Sequence, residues 1–197
     1  MPFDLLIIND KGILEVHPSA LTIKAIADLW NRDRSTIKDK ALQELAFIYW
    51  MYNWNSIYFK DYPDETERFN AVVVEVFQNI KWKTNLLVSE AGKTYQKLQE
   101  DSYPELSDLQ TARKTLNNLK NFLDALDPDE RTKSGGLVLK PSDIYAAITK
   151  MGEALIAVNK MEERIRKEIQ LEDSKVRGGG KQGNFEDESK ITYLNNK

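Results

Sequence analysis

The sequence predicts a mainly α protein: a helical bundle with a long antiparallel helical hairpin, a small N-terminal β-hairpin and an extended C-terminal arm. Three observations carry that prediction. Apolar residues recur in alternating steps of three and four through two long segments, 104–126 and 141–171; a helix between 37 and 54 is apolar nearly all the way round; and a glycine run at 178–180 ends the periodic part of the chain. With 197 residues, 41% hydrophobic and 30% charged, the chain has the composition of a globular protein and the length of one principal domain plus appendages. That domain is expected over 1–171, with the β-hairpin at 3–16, a helical core at 19–100 and the helical hairpin at 104–171; residues 172–197 form the arm.

Residues 3–8 and 13–16 are short apolar runs separated by Asn9-Asp10-Lys11-Gly12, which supplies turn formers and a residue free to take positive φ. Two isolated strands are only marginally stable, so this hairpin needs a host, which a neighbouring sheet would supply. After Pro18-Ser19, the pattern Leu21, Ile23, Ala25, Ile26, Leu29 and Trp30 predicts a short helix with Ser19 near its cap, and Asp33 or Ser35 is the candidate cap of the next. The helix from Ile37 to about Trp54 carries Phe47, Trp50, Met51 and Trp54 behind its main apolar face, so it must be covered on several sides and is the candidate central helix.

Tyr62-Pro63-Asp64 breaks the pattern, because proline disfavours helix at the residue before it and suits the first turn of a new one. A helix over about 64–80 follows, with the stripe Phe69, Val72, Val73, Val76, Phe77 and Ile80; then one over 84–100, with a weak point at Gly92. The seam of the next helix runs Leu109, Ala112, Leu116, Leu119, Leu123 and Leu126. Its partner reads Ile144, Ile148, Met151, Leu155, Val158, then Glu162 as the one misfit, then Ile165 and Ile169. A connection over 127–140 folds the two back on each other, with the longer helix protruding at Val158–Ile169. Beyond it, Gly178-Gly179-Gly180 loses so much backbone entropy on ordering that the arm is expected to gain its order from a partner.

Little in the sequence points to catalysis. There is no cysteine, which excludes disulfides, Cys-ligated zinc and thiol nucleophiles, and His17 is the single histidine, which excludes a multi-His metal site; a lone His before Pro18 reads as a turn residue. Gly92-Lys93-Thr94 resembles the end of a phosphate-binding loop, but Leu87 stands where the loop needs its first glycine. In the acidic run at Asp124, Asp127, Asp129 and Glu130, an EF-hand count from Asp124 meets Asp129 and Gly135, and one from Asp127 meets Thr132 and Val138; neither supplies the glycine and glutamate required. The expectation is a non-enzyme with no catalytic residue, metal or cofactor. A net charge of −3, from 28 Lys and Arg against 31 Asp and Glu, gives no global attraction to phosphates or anionic lipid. No stretch is apolar enough for a signal peptide or a membrane span, so no membrane partner is expected.

Candidate partner-binding residues are therefore apolar ones on segments short of cover. They are Phe3, Leu5 and Ile7 of the hairpin; Leu137, Val138 and Leu139 after the flexible Gly135-Gly136; Val158, Ile165 and Ile169 of the protruding helix; and Phe185, Ile191, Tyr193 and Leu194 of the arm. The aromatic segment Tyr49–Phe59 reads first as filling for the core and an inter-subunit groove, and second as a platform for stacking bases. Together with Lys81, Lys83 and Lys93 it supports an alternative function as a nucleic-acid-binding or packaging accessory protein.

The stretch Lys38–Arg68 combines an aromatic helix, the turn Ser56-Ile57-Tyr58 and the helix start Tyr62-Pro63-Asp64-Glu65-Thr66-Glu67-Arg68. It resembles virion proteins of tailed bacteriophages, particularly the head-to-tail ring and adaptor proteins of the crAss-like group, over roughly the first half of the chain. The resemblance implies a structural virion protein of the neck, made in the host cytoplasm, that joins the portal to the tail. It also implies the partners: copies of itself in a closed ring of about twelve, the portal protein and neighbouring tail or ring proteins, with DNA at most passing through.

Overall fold

The computed structural model describes residues 5–9, 12–127, 131 and 140–178, excepting the side chains of 173–178. It is mainly helical with one small sheet, as the periodicities predict. Two compact units are present, one built on Met1–Pro104 and the other on Glu105–Glu172.

In the first unit, β1 (Leu6–Ile8) and β2 (Leu14–Val16) pair antiparallel with Leu6 opposite Val16 and Ile8 opposite Leu14. Gly12 takes φ +74°, and the Asn9 side chain accepts from the Ile13 amide at 3.0 Å. The hairpin's host is its own chain: Leu5 and Leu6 are buried in the core that includes Leu45 and Ile48 of the central helix. Leu5, just before the strand, is thus a core residue rather than an open partner contact.

A 3-10 turn, Pro18–Thr22, precedes α1 (Lys24–Arg32). The cap of that turn is His17 rather than Ser19: Nδ1 accepts from the Ser19 amide at 3.2 Å and lies 2.6 Å from the Ser19 hydroxyl. The central helix α2 spans Asp39–Tyr52 and buries Ala41, Leu45, Phe47, Ile48 and Met51. Its neighbours are α1, α3 (Ile57–Asp61), α4 (Glu65–Phe77), α5 (Leu86–Ser102) and the hairpin, which is the cover on several sides that an all-round apolar helix needs.

Helix ends in this unit are closed by side chains. At α2, Asp33 reaches the first turn from eight residues away, accepting from the Ala41 amide at 3.1 Å, while Ser35 accepts from the Lys38 amide at 3.0 Å. At the other end, Gln99 of α5 donates to the Tyr52 carbonyl at 3.1 Å and accepts from the Trp54 amide at 3.2 Å, and Asn53 donates to the Tyr95 hydroxyl at 2.7 Å. The bonds to the Ala41 amide and the Tyr52 carbonyl satisfy backbone groups that the helix leaves orphaned and that burial would otherwise penalise, and the Asn53–Tyr95 bond joins two buried side chains. Asp64 caps α4 through the Thr66 and Glu67 amides, so the helix starts where the Tyr-Pro-Asp break puts it, with Pro63 just before the cap rather than in the first turn. The buried Glu44 carboxylate is paired with Arg32.

Two expectations change here. α4 ends at Phe77, with Gln78 left-handed, so Ile80 lies beyond the helix and is exposed. Gly92 is no weak point: α5 runs through it, and the Tyr52 ring lies so close that a Cβ there would stand 2.9 Å from Cδ2. The glycine is a place of close approach between helices.

The second unit is the helical hairpin of α6 (Glu105–Asp124) and α7 (Pro141–Gly178), tied by an ion pair between Arg113 and Glu162. Glu162 is the misfit of the sequence seam, and its second oxygen accepts from Arg166 at 3.1 Å. α6 ends 11 residues beyond Arg113, whereas α7 begins 21 residues before Glu162. In an antiparallel pair, α7 therefore starts ten residues, or ~15 Å, past the end of α6. α7 also runs past α6 at the expected C-terminal end, since it extends 16 residues beyond Glu162 while α6 begins only eight before Arg113; the overhanging stretch there is 171–178 rather than Val158–Ile169. Val158 and Ile165 are accordingly buried and Ile169 half-buried, so the first two are not open to a partner. α7 also continues to Gly178, into the stretch expected to be arm.

Candidate interaction surfaces

α7 carries two apolar faces. The inner one runs Ile144, Ala147, Met151, Ala154, Val158, Met161 and Ile165, in steps of three and four, with Val158 and Ile165 buried and the rest half-buried. One residue further along at each of the first four positions lie Tyr145, Ile148, Gly152 and Leu155, about 100° round the helix. Tyr145 is 73% exposed and Leu155 52%, with Ile148 and Ile156 similarly open beside them. A Cβ added at Gly152 would meet nothing within 4 Å. Nothing among the described residues therefore requires glycine there, although glycine inside a helix is about 1 kcal/mol worse than alanine.

The sequence seam placed Ile148 and Leu155 inside the hairpin. It did so by choosing the larger residue at each step over Ala147 and Ala154. The smaller residues face the covered side because alanines allow close approach there, which leaves the larger ones outside. The signal available was Glu162, since a seam that forces a carboxylate inward asks for a test of the neighbouring register.

In the first unit, the connection between α4 and α5 exposes Ile80 (75%) and Leu86 (73%). This connection is firmly anchored. The Trp82 amide donates to the Asn79 carbonyl at 2.9 Å, the Lys81 amide donates to Asn79 Oδ1 at 3.0 Å, and the Trp82 ring stacks on Phe77 at 3.8 Å between centroids. Phe47 and Phe69 complete the aromatic cluster beneath. Both Ile80 and Leu86 fell outside the set of partner candidates, Ile80 because it continues the stripe of α4.

Of the other candidates, Ile7 is exposed on the strand face opposite Leu6, whereas Phe3, Leu137, Val138, Leu139, Phe185, Ile191, Tyr193 and Leu194 lie outside the described residues. The aromatic segment is core only in part, since Tyr49, Trp50, Tyr52 and Tyr58 are half-buried against it. Met51, Trp54 and Phe59 are buried, and Trp50 meets Tyr49 and Tyr58 edge-on at 5.1 and 5.6 Å. Burial pushes the Tyr49 and Tyr52 hydroxyls above the ordinary tyrosine range. Arg68 is buried over Phe59 with its charge at 4.5 Å from the ring, donating to the Tyr62 carbonyl at 2.9 Å; desolvation holds its pKa below the usual value.

Among the described residues no group of three or more His, Asp or Glu is placed to hold a metal ion, and no helix is long and apolar enough to cross a membrane. Compared with known protein families, curated proteins and solved structures, the chain matches none.

Proposed function

We propose that this chain is a structural subunit of a phage head-to-tail connector, assembled through helix faces and terminal segments into a closed ring between portal and tail. The observation that carries this reading is the second apolar face of α7. A subunit of a cyclic assembly needs two different adhesive surfaces, because each copy meets its two neighbours through different patches. A helix that spends one apolar face inside its own chain and leaves Tyr145, Ile148, Leu155 and Ile156 open has such a surface ready. The likeness of Lys38–Arg68 to neck proteins of crAss-like phages supplies the biological setting.

The reading assigns no catalysis and no cofactor. Lys81, Lys83 and Lys93 are exposed, but Trp54 and Phe59 are buried and Tyr49, Trp50, Tyr52 and Tyr58 are half-buried against the core, which leaves few open rings for the stacking that the nucleic-acid alternative needs. Electron microscopy of the purified full-length protein tests the proposal. Closed rings, and retention of the protein on immobilised portal, are the expected results. A compact monomer at all concentrations, with no affinity for portal, would overturn it.

A further inference from the structure

The connection between α4 and α5 is built to present something. Its turn is held by two hydrogen bonds to Asn79 and by the stacking of Trp82 on Phe77, so its backbone is rigid while Ile80 projects outward, 75% exposed. An isoleucine at the tip of a fixed turn gains little from the described residues around it, and Leu86 at the start of α5 is equally bare. Between them stand Lys81 and Lys83, both exposed, and residues 78–86 contain no acid. The patch is thus two apolar knobs within a basic rim.

The chain itself contains the complement. Nineteen residues follow Gly178, and within them Phe185-Glu186-Asp187-Glu188-Ser189-Lys190-Ile191 places three consecutive carboxylates between two large apolar residues. We infer that the C-terminal segment 185–191 of a neighbouring copy docks on the Ile80–Leu86 connection, its apolar residues against Ile80 and Leu86 and its carboxylates against Lys81 and Lys83. The inference rests on the ring reading and gives it a second, different interface: one copy offers the turn and the next the tail. Exposed charges select the orientation and apolar contact supplies the affinity, so docking weakens as salt rises.

The absence of cysteine makes the test clean. Thr84→Cys and Ser189→Cys, introduced together in the full-length protein, place the only two thiols beside the two halves of the contact and leave its apolar and charged residues intact; Thr84 is exposed. Mild oxidation should give a ladder of covalent multimers on a non-reducing gel, several-fold stronger than the pair Ile57→Cys and Ser189→Cys, where Ile57 is an exposed isoleucine elsewhere in the same unit. Lys81→Glu with Lys83→Glu should abolish the ladder, and adding Glu186→Lys, Asp187→Lys and Glu188→Lys should restore it.

No ladder above the Ile57 control overturns the inference, as does a cross-link confined to single chains. Loss of duplex DNA binding in the lysine variant, with the ladder unchanged, assigns the patch to nucleic acid and overturns it too. Rings seen by microscopy without the ladder defeat this contact alone, whereas absence of rings defeats the function on which it rests.

Discussion

Two glycines in the interiors of helices make opposite demands on their surroundings. At Gly92 the Tyr52 ring fills the space a side chain would need, while Gly152 faces open space. Gly92→Ala gains helix propensity but must displace a ring packed between α2 and α5, so it should destabilise the protein by about 1–3 kcal/mol; in a Tyr52→Ala background the same change should cost almost nothing. Gly152→Ala should stabilise the free subunit by about 0.5–1 kcal/mol. Urea unfolding of the four variants measures both, and equal effects at the two glycines would refute the distinction. Asp33 shows charge acting at the same scale. Hydrogen bonds from Ser35, and a further one from the Ala41 amide, hold its pKa at about 2, against an ordinary 3.8. The folded state therefore favours the carboxylate, and the stabilisation is complete above about pH 4 and lost as pH falls towards 2. Between pH 5 and pH 2.5 the unfolding midpoint should fall further for the natural protein than for Asp33→Asn, and equal falls would show that the cap does not titrate with folding.

At the scale of the element, much of this fold was legible from spacing. The central α2, the break at Tyr62-Pro63-Asp64 and the paired long helices follow from periodicity and turn chemistry, which are local properties of the chain. What was not legible depended on distant partners. Gly92 reads as a weak point until Tyr52, forty residues earlier, is known to lie across it. Leu5 reads as an interface residue until α2 is known to be its host, and alternate positions of the α7 seam, Ile148 and Leu155, read as inner until they are found exposed, while Ile144, Met151, Val158 and Ile165 keep their places. The Arg113–Glu162 ion pair makes its own prediction. Arg113 and Glu162 are mostly buried, and Arg113 Nη1 has no hydrogen-bond partner. Arg113→Leu alone takes a cation away from a mostly buried carboxylate, and should destabilise the hairpin by about 3 kcal/mol. Arg113→Leu with Glu162→Leu should recover most of that loss, or exceed the original stability, while loosening the register between the helices. Helicity followed through urea unfolding reports the first effect. Cysteine pairs placed across α6 and α7 report the second, by cross-linking at more than one offset only in the double variant; a double variant as unstable as the single one would show that the pair contributes stability rather than register.

At the scale of the whole molecule, the open face of α7 separates stability from assembly. Burial of a side chain the size of leucine or isoleucine stabilises by about 1.5–3 kcal/mol, and Ile148, Leu155 and Ile156 forgo more than half of this in the isolated chain. Replacing Ile148 and Leu155 with serine should therefore leave the unfolding temperature of the subunit almost unchanged. If the face is an inter-subunit contact, the same two changes remove several kcal/mol from each interface, and because a closed ring repeats that interface at every subunit, assembly should fail altogether. Gly152→Ala sharpens the contrast, since it should raise the stability of the free subunit while weakening the ring if a neighbouring backbone approaches Gly152 closely. Light scattering coupled to size-exclusion chromatography measures assembly, and calorimetry on the dilute subunit measures stability. Variants that assemble normally would show that this face is covered by something other than a second copy. Variants that lose stability in step with assembly would show that the face belongs to the fold of its own chain.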